Sequence, residues 1–232
     1  MSAERAPPTW AVVPVKALDE AKQRLAAVLP PEARRRLVLT MLRDVLATLT
    51  EVERIACVLV VTPDADAACI AHDLGARVLR EERSRGHSAA AMVGFAQALA
   101  GGAAQALTIP ADAPCVTPGE LTCLLDAAHA GTVPGLVLVP ARDGDGTNAV
   151  LAAPPDAFPP SFGPGSFARH LAQAEARGLA CRVVELAGLA LDIDEPRDLA
   201  ALIVAKRGNP AYAFLEPQSE TLRAMSSGPS QP

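Results

Sequence analysis

Two aspartates stand one residue apart in Leu191-Asp192-Ile193-Asp194. In an extended segment alternate side chains share a face, so the two carboxylates converge while Ile193 turns towards the core. Converging carboxylates repel unless a cation lies between them, and Mg²⁺ is the usual solution. A plainer reading makes Asp194 the N-cap of a helix opening at Glu195-Pro196, but it leaves Asp192 unexplained. Asp112, in Pro110-Ala111-Asp112-Ala113-Pro114, follows an apolar strand pattern. It is either a turn residue or the third member of a carboxylate set for one or two Mg²⁺ ions.

Cations follow the first apolar run in Val13-Pro14-Val15-Lys16-Ala17-Leu18-Asp19-Glu20-Ala21-Lys22-Gln23-Arg24-Leu25. Lys16, Lys22 and Arg24 are either a solvated basic face or a cradle for a polyphosphate. The second reading gains from position, because the first strand-to-helix loop of an α/β sheet commonly wraps a nucleotide's phosphates. The stretch has no glycine, so it is neither a Walker loop nor a GxGxxG turn. In Phe162-Gly163-Pro164-Gly165-Ser166-Phe167 the glycines let the backbone approach a ligand at a helix start, with Ser166 as the expected N-cap. A small phosphate or carboxylate suits such a place, and Thr147-Asn148, after Gly144 and Gly146, brings further donors. His87 and His170 read as isolated histidines in exposed or helix-face roles rather than metal ligands.

The elements that must position these residues alternate. Apolar runs at residues 10–15, 55–61, 76–79 and 106–109 read as strands. Helical spacing covers 31–49, 64–74, 88–99 and 118–130. Further strands are expected at 135–139, 148–152 and 182–186, with another extended piece at 189–193. Between them lie a Gly/Asp loop at 142–147, an irregular proline-rich stretch at 154–164, and helices at 166–177 and 195–206. This order predicts an α/β fold with a mostly parallel, doubly wound sheet. Residues 141–166 form an insertion over its carboxyl edge, where ligands bind. The expected layout is a disordered segment 1–9, a single domain 10–207, and a C-terminal segment 208–232 ending in a flexible tail from about residue 218.

Composition narrows the function classes. Of 232 residues half are apolar and a fifth charged, enough for a substantial core in about one and a half typical domains. The net charge of −5 argues against a nucleic-acid surface, while leaving room for small acidic ligands in a local basic pocket. No signal peptide and no membrane span is expected, which places the chain in the cytoplasm. The five cysteines, Cys57, Cys69, Cys115, Cys123 and Cys181, form no CxxC pair and read as buried, reduced thiols.

Taken in order, Val13-Pro14-Val15-Lys16, Ala21-Lys22-Gln23-Arg24-Leu25, Asp112-Ala113-Pro114, Gly146-Thr147-Asn148-Ala149, Phe162-Gly163-Pro164-Gly165-Ser166-Phe167 and Leu191-Asp192-Ile193-Asp194-Glu195-Pro196 resemble the guanylyltransferases of coenzyme F420 biosynthesis. The likeness runs from about residue 10 to about residue 206. It implies the nucleotidyltransferase form of the three-layer α/β sandwich. It also implies transfer of GMP from GTP to 2-phospho-L-lactate, phosphoenolpyruvate or 3-phospho-D-glycerate, with pyrophosphate released. On that resemblance Asp112, Asp192 and Asp194 hold Mg²⁺, and Thr147, Asn148, Gly163 and Ser166 bind the acid. Pro14, Lys16, Lys22, Arg24 and Asp112 bind the nucleotide, with Lys16, Lys22 and Arg24 stabilising the departing pyrophosphate. The family usually shows Gly-Asp-Leu-Pro where this chain has Ala111-Asp112-Ala113-Pro114. Gly86-His87-Ser88-Ala89 replaces its Gly-Leu-Asn-Ala stretch near the nucleotide. The alternatives are another Mg²⁺-dependent nucleotidyltransferase of the same fold, a glycosyltransferase using its Asp-x-Asp, or a non-catalytic nucleotide-binding regulatory module.

Overall fold

A computed structural model describes residues 8–18, 21–129 and 135–218. Seven strands build one sheet in the order β3-β2-β1-β4-β6-β5-β7. They are β1 (Thr9–Pro14), β2 (Ile55–Thr62), β3 (Arg77–Arg80), β4 (Gln105–Thr108), β5 (Gly135–Pro140), β6 (Thr147–Ala153) and β7 (Ala180–Val183). The helices are α1 (Pro31–Thr50), α2 (Ala65–Asp73), α3 (His87–Ala100), α4 (Pro118–His129), α5 (Ser166–Ala176) and α6 (Pro196–Ala205). β1 pairs parallel with β2 and β4, β2 with β3, and β5 with β7. β6 alone runs against its neighbours β4 and β5.

Both faces of the sheet are covered, which is why its central strands read as unbroken apolar runs. In β1, Ala11 and Val13 enter one core with Leu37, Met41, Leu42, Val45 and Leu49 of α1 and residues of α2, α4 and α6. Trp10 and Val12 point the other way, into a core with Phe95 of α3 and Ala174 of α5. The three-layer α/β sandwich is therefore present, and its first four strands follow the expected order. Strand order reverses at β1, which has β2 on one side and β4 on the other. Ligands bind at such a switch point, beyond the carboxyl ends of the strands.

Several local expectations need correction. Thr9 is not in a disordered leader: it opens β1, is buried, and its hydroxyl accepts from Gln105 Nε2 at 2.7 Å. The strand expected at 182–186 is β7, shifted towards the N-terminus. Residues 189–193 belong to no strand; turns run to Ala190, and the segment that follows has no ladder partner. The cysteines are free but not buried: Cys69 and Cys123 are exposed and the other three half-buried. Cys69 sits on α2 opposite Ala67, Ala68, Ile70 and Ala71, so the helical repeat turns its thiol outwards. The cation-bearing loop contains an unforeseen 3-10 turn, Gln23–Leu25, and the C-terminal segment forms another, Pro210–Gln218. Among the described residues no helix is long and apolar enough to cross a membrane. The expected disorder at residues 1–7 and the tail at 219–232 lie outside the described residues.

Candidate active site

Topology brings distant residues to one edge. β1 and β4 end there, at Pro14 and Thr108. Because β6 runs in reverse, its first residues Thr147 and Asn148 stand at the same edge, beside the end of β5. The Asp192–Asp194 segment is pinned in place by hydrogen bonds that belong to no strand ladder. Ile193 N–H donates to Asp112 C=O at 3.0 Å, and Arg142 N–H donates to Ala190 C=O at 3.1 Å. Asn148 Nδ2 donates to Leu189 C=O at 2.9 Å. Gly188 N–H donates to Glu120 Oε1 at 2.7 Å, where any larger residue would strike the Cys115 carbonyl with its Cβ. Ile193 is fully buried, as the alternation required.

Lys22 is the electrostatic centre. Its ammonium donates to Asp112 Oδ2 at 2.5 Å and to Asp194 Oδ1 at 2.7 Å, with 7% of the side chain exposed. Lys22 is also the one non-glycine residue with positive φ, 54°, among the described residues. That conformation costs of order 1–3 kcal/mol and persists because the surroundings hold it. Burial alone would lower the Lys22 pKa, but the two carboxylates outweigh it and hold the ammonium above its ordinary value. Asp112 answers in kind: burial would raise its carboxyl, yet Lys22, with help from His87, holds it below the usual range. Asp192 goes the other way. Burial first and then the Asp112 charge push it up, against the amide of Asn148, whose Nδ2 lies 3.2 Å from Asp192 Oδ1.

The N-cap of α6 is Glu195, closed by a capping box with Asp198. Asp194 is thereby released from the helix-capping role and turns to Lys22. Asp112, Asp192 and Asp194 all line one cleft. They do not form a preformed cage: among the described residues no three His, Cys, Asp or Glu side chains make a metal-ligand group. Lys22 fills the space between two of the carboxylates, and Asn148 engages the third.

Two clefts open side by side at this edge. The larger, about 500 Å³, is lined by Arg24, Arg142, Thr147, Gly163, Ser166 and Asp192, among others. The smaller, about 400 Å³, is lined by Pro14, Lys16, Lys22, Glu81, Ser84 and Gly86, among others. His87, Pro110, Asp112 and Asp194 belong to both and form the wall between them. Arg24 thus parts from Lys16 and Lys22. It is 71% exposed and reaches Glu195 at 3.5 Å, a weak pairing in water.

The glycine turn differs from its expected form in one respect. Gly165 (φ 64°), not Ser166, is the N-cap of α5, and Ser166 is the first helical residue. Its Oγ accepts instead from Thr147 N–H at 2.9 Å, tying α5 to β6. Gly165 N–H donates to Asp145 Oδ2 at 2.8 Å, and Phe162 N–H to Ser88 Oγ at 2.8 Å. Gly163, at φ 121°, adopts a backbone that side chains resist.

Both histidines lie on helices, His87 opening α3 and His170 within α5, and neither is exposed. His170 is fully buried, with Nδ1 3.0 Å from Thr147 Oγ1. His87 is half-buried in the dividing wall, its ring 4.4 Å from that of Phe162 in an edge-on contact. Burial, offset by Asp112 and reinforced by Lys16, lowers its pKa. Arg142 and Arg197 also line the larger cleft and carried no local signal.

Residues 9–227 match the guanylyl transferase CofC-like family. The chain is 43% identical over 194 residues to a phosphoenolpyruvate guanylyltransferase of Sphaerobacter thermophilus, covering 84% of this chain and 92% of that one. It is 46% identical over 193 residues to a protein of the same name from Rubrobacter xylanophilus, covering 83% and 92%. Among solved structures, a nucleotidyl transferase from Methanothermobacter superposes with a TM-score of 0.62 at 18% identity, covering 87% of this chain and 99% of that chain. That likeness speaks for the fold; the sequence matches, which span nearly the whole described domain, decide the family. The chain belongs to the guanylyl transferase CofC-like family and is a nucleotidyltransferase.

Proposed function

We propose that the chain joins the GMP moiety of GTP to phosphoenolpyruvate, releasing pyrophosphate, as a step towards coenzyme F420. One observation carries this reading: two clefts of unlike lining share a wall that contains Asp112 and Asp194. A transferase of two anionic substrates needs such a place, where donor and acceptor meet while each keeps its own contacts. Phosphoenolpyruvate is preferred over 2-phospho-L-lactate and 3-phospho-D-glycerate because the relatives at 43% and 46% identity are named for it.

The smaller cleft, with Lys16 and Lys22, takes GTP. The larger takes the acid, held by Thr147, Gly163 and Ser166, with Arg24 and Arg142 countering its charge. Asn148 keeps its amide on Leu189 and Asp192 and so shapes the cleft from behind. A phosphate oxygen of phosphoenolpyruvate attacks the α-phosphorus. The bond from α-phosphorus to the bridging oxygen breaks, and pyrophosphate leaves with that electron pair. The nucleophile is already ionised at neutral pH, so no general base is required. Lys22 and Lys16 stabilise the charge that gathers on the leaving group.

Mg²⁺ fits by donor chemistry. Asp112, Asp192 and Asp194 are oxygen ligands at one cleft, and this ion commonly uses one or two carboxylates together with substrate phosphates. Burial first, and then the Asp112 charge, raises the Asp192 carboxyl, and a divalent cation would favour its ionised form. When bound, the ion supplies neutralisation of the phosphate oxygens.

Pyrophosphate release, measured with GTP and each of the three acids in the presence of Mg²⁺, tests the reading. Phosphoenolpyruvate is expected to give the highest kcat/KM. Release with none of the acids overturns the function, and a higher value for another acid overturns the substrate.

A further inference from the structure

We propose that His170 is a positioning residue that turns the Thr147 hydroxyl into a hydrogen-bond donor aimed at an anionic group of the acid substrate. The inference rests on the reading of the larger cleft as the acid site. Ser161 N–H donates to His170 Nε2 at 2.8 Å. A backbone amide can only donate, so Nε2 carries no proton, and in the neutral ring the proton lies on Nδ1. Nδ1 stands 3.0 Å from Thr147 Oγ1 and therefore donates to it. One lone pair of the hydroxyl is thus occupied, and its hydrogen must find an acceptor elsewhere. Among the described residues the protein offers none, while Thr147 lines the larger cleft.

Ser166 is set the same way by a different partner. Its Oγ accepts from Thr147 N–H at 2.9 Å, which leaves its own hydrogen for the cleft it also lines. This corner therefore presents two hydroxyl donors, suited to an acceptor-only carboxylate or phosphate oxygen. A neutral hydroxyl on the ligand would use them less well.

The relay is built to stay neutral and still. Phe158 and Phe162 pack edge-on against the imidazole, with centroids 5.4 and 5.5 Å away. Arg169 donates from Nη2 to Ser161 C=O at 2.8 Å and from Nε to Ser161 Oγ at 3.2 Å, holding in place the segment whose amide meets His170. Burial, with a contribution from Arg169, takes the His170 pKa down to about 4, so the ring is uncharged at neutral pH.

The test pairs His170→Leu, which removes both nitrogens, with His170→Gln, which keeps one donor and one acceptor. His170→Leu is expected to raise KM for phosphoenolpyruvate about tenfold, as for one lost charge-assisted hydrogen bond, with KM for GTP within twofold. His170→Gln is expected to recover most of that loss. In a Thr147→Val background, His170→Leu is expected to add nothing, since the hydroxyl it directs is gone. Equal rises in both KM values, or additive effects in the double variant, overturn the proposal. If His170→Leu fails to fold, ¹⁵N NMR of the wild-type imidazole decides: Nδ1-protonated and neutral at pH 7 supports it, and a proton on Nε2 overturns it. That spectrum does not depend on turnover. Loss of the proposed reaction in the wild type therefore strikes the function reading and leaves the His170 result to stand by itself.

Discussion

The two clefts offer their proposed anions different groups. On the smaller side the sheet is parallel, and its first loop supplies lysines. One of these, Lys22, is locked between Asp112 and Asp194; the other, Lys16, is exposed. On the larger side β6 runs in reverse, and α5 docks on it through neutral, buried groups, Thr147, Ser166 and His170. A polyphosphate carries several charges over a flexible chain, and point charges, one fixed and one exposed, suit it. A three-carbon acid is small, and a few directed donors hold it with less loss of rotamer freedom. On the proposed assignment, lysines serve the first cleft, whereas the second adds directed hydroxyl donors to its arginines.

Removing the charge at the centre should do most damage. Lys22→Met is expected to cut pyrophosphate release about 10³-fold, since it removes a preorganised cation held by two carboxylates of the dividing wall. It also leaves Asp112 and Asp194 facing each other. A loss of about 3 kcal/mol is expected at pH 7, reduced from a fully buried pair because 47% of the Asp194 side chain meets water. Asp112 has a lowered folded pKa, so its pairing stabilises the fold above about pH 3.8 and fades as pH falls through that lowered value. Thermal melts of variant and wild type should accordingly converge in acid. A constant gap would show that Lys22 acts by packing.

Asp192→Asn should separate function from stability. Release is expected to fall about 10²-fold, as for one lost charge at the reacting phosphates. A carboxyl with a raised folded pKa weakens the fold at neutral pH, and stability returns as pH falls through that value. The neutral amide should therefore raise Tm at pH 7, and the gain should vanish in acid. Unchanged turnover would remove Asp192 from the site.

Smaller effects sharpen the contrast between the clefts. Ser166→Ala should raise KM for the acid about tenfold and leave KM for GTP nearly unchanged. The reverse pattern would exchange the two pockets. Lys16→Ala should raise KM for GTP only about threefold at low salt, and the effect should shrink above about 0.15 M because an exposed charge is screened. A salt-independent effect would argue for a direct, desolvated contact instead.

Much of this was legible in the chain itself. The parallel half announced itself because strands covered on both faces are almost wholly apolar, as β1 and β2 are but for Thr9 and Thr62. The Asp192–Asp194 pair was visible because alternation forces Ile193 inwards. Lys16, Lys22 and Arg24 stood out as cations crowded after the first strand. What local reading could not reach were partners far along the chain. Lys22 meets Asp112 and Asp194 across separations of 90 and 172 residues. His170 finds Thr147 only because β6 is reversed and α5, packed on β5 and β7, starts beside its first residue. Ser166 and Asp194 looked like helix caps, and Gly165 and Glu195 took those places.

Local sequence was enough for most strands and helices and for the residue types at the carboxyl edge, because apolar periodicity and side-chain alternation act within a few residues. The tertiary structure alone decided how those groups are shared: which ammonium spans which carboxylates, which hydroxyl accepts and so must donate onwards, and which residues wall one cleft from the other. Such pairings depend on distances of a few ångströms between parts of the chain that only the packed sheet brings together.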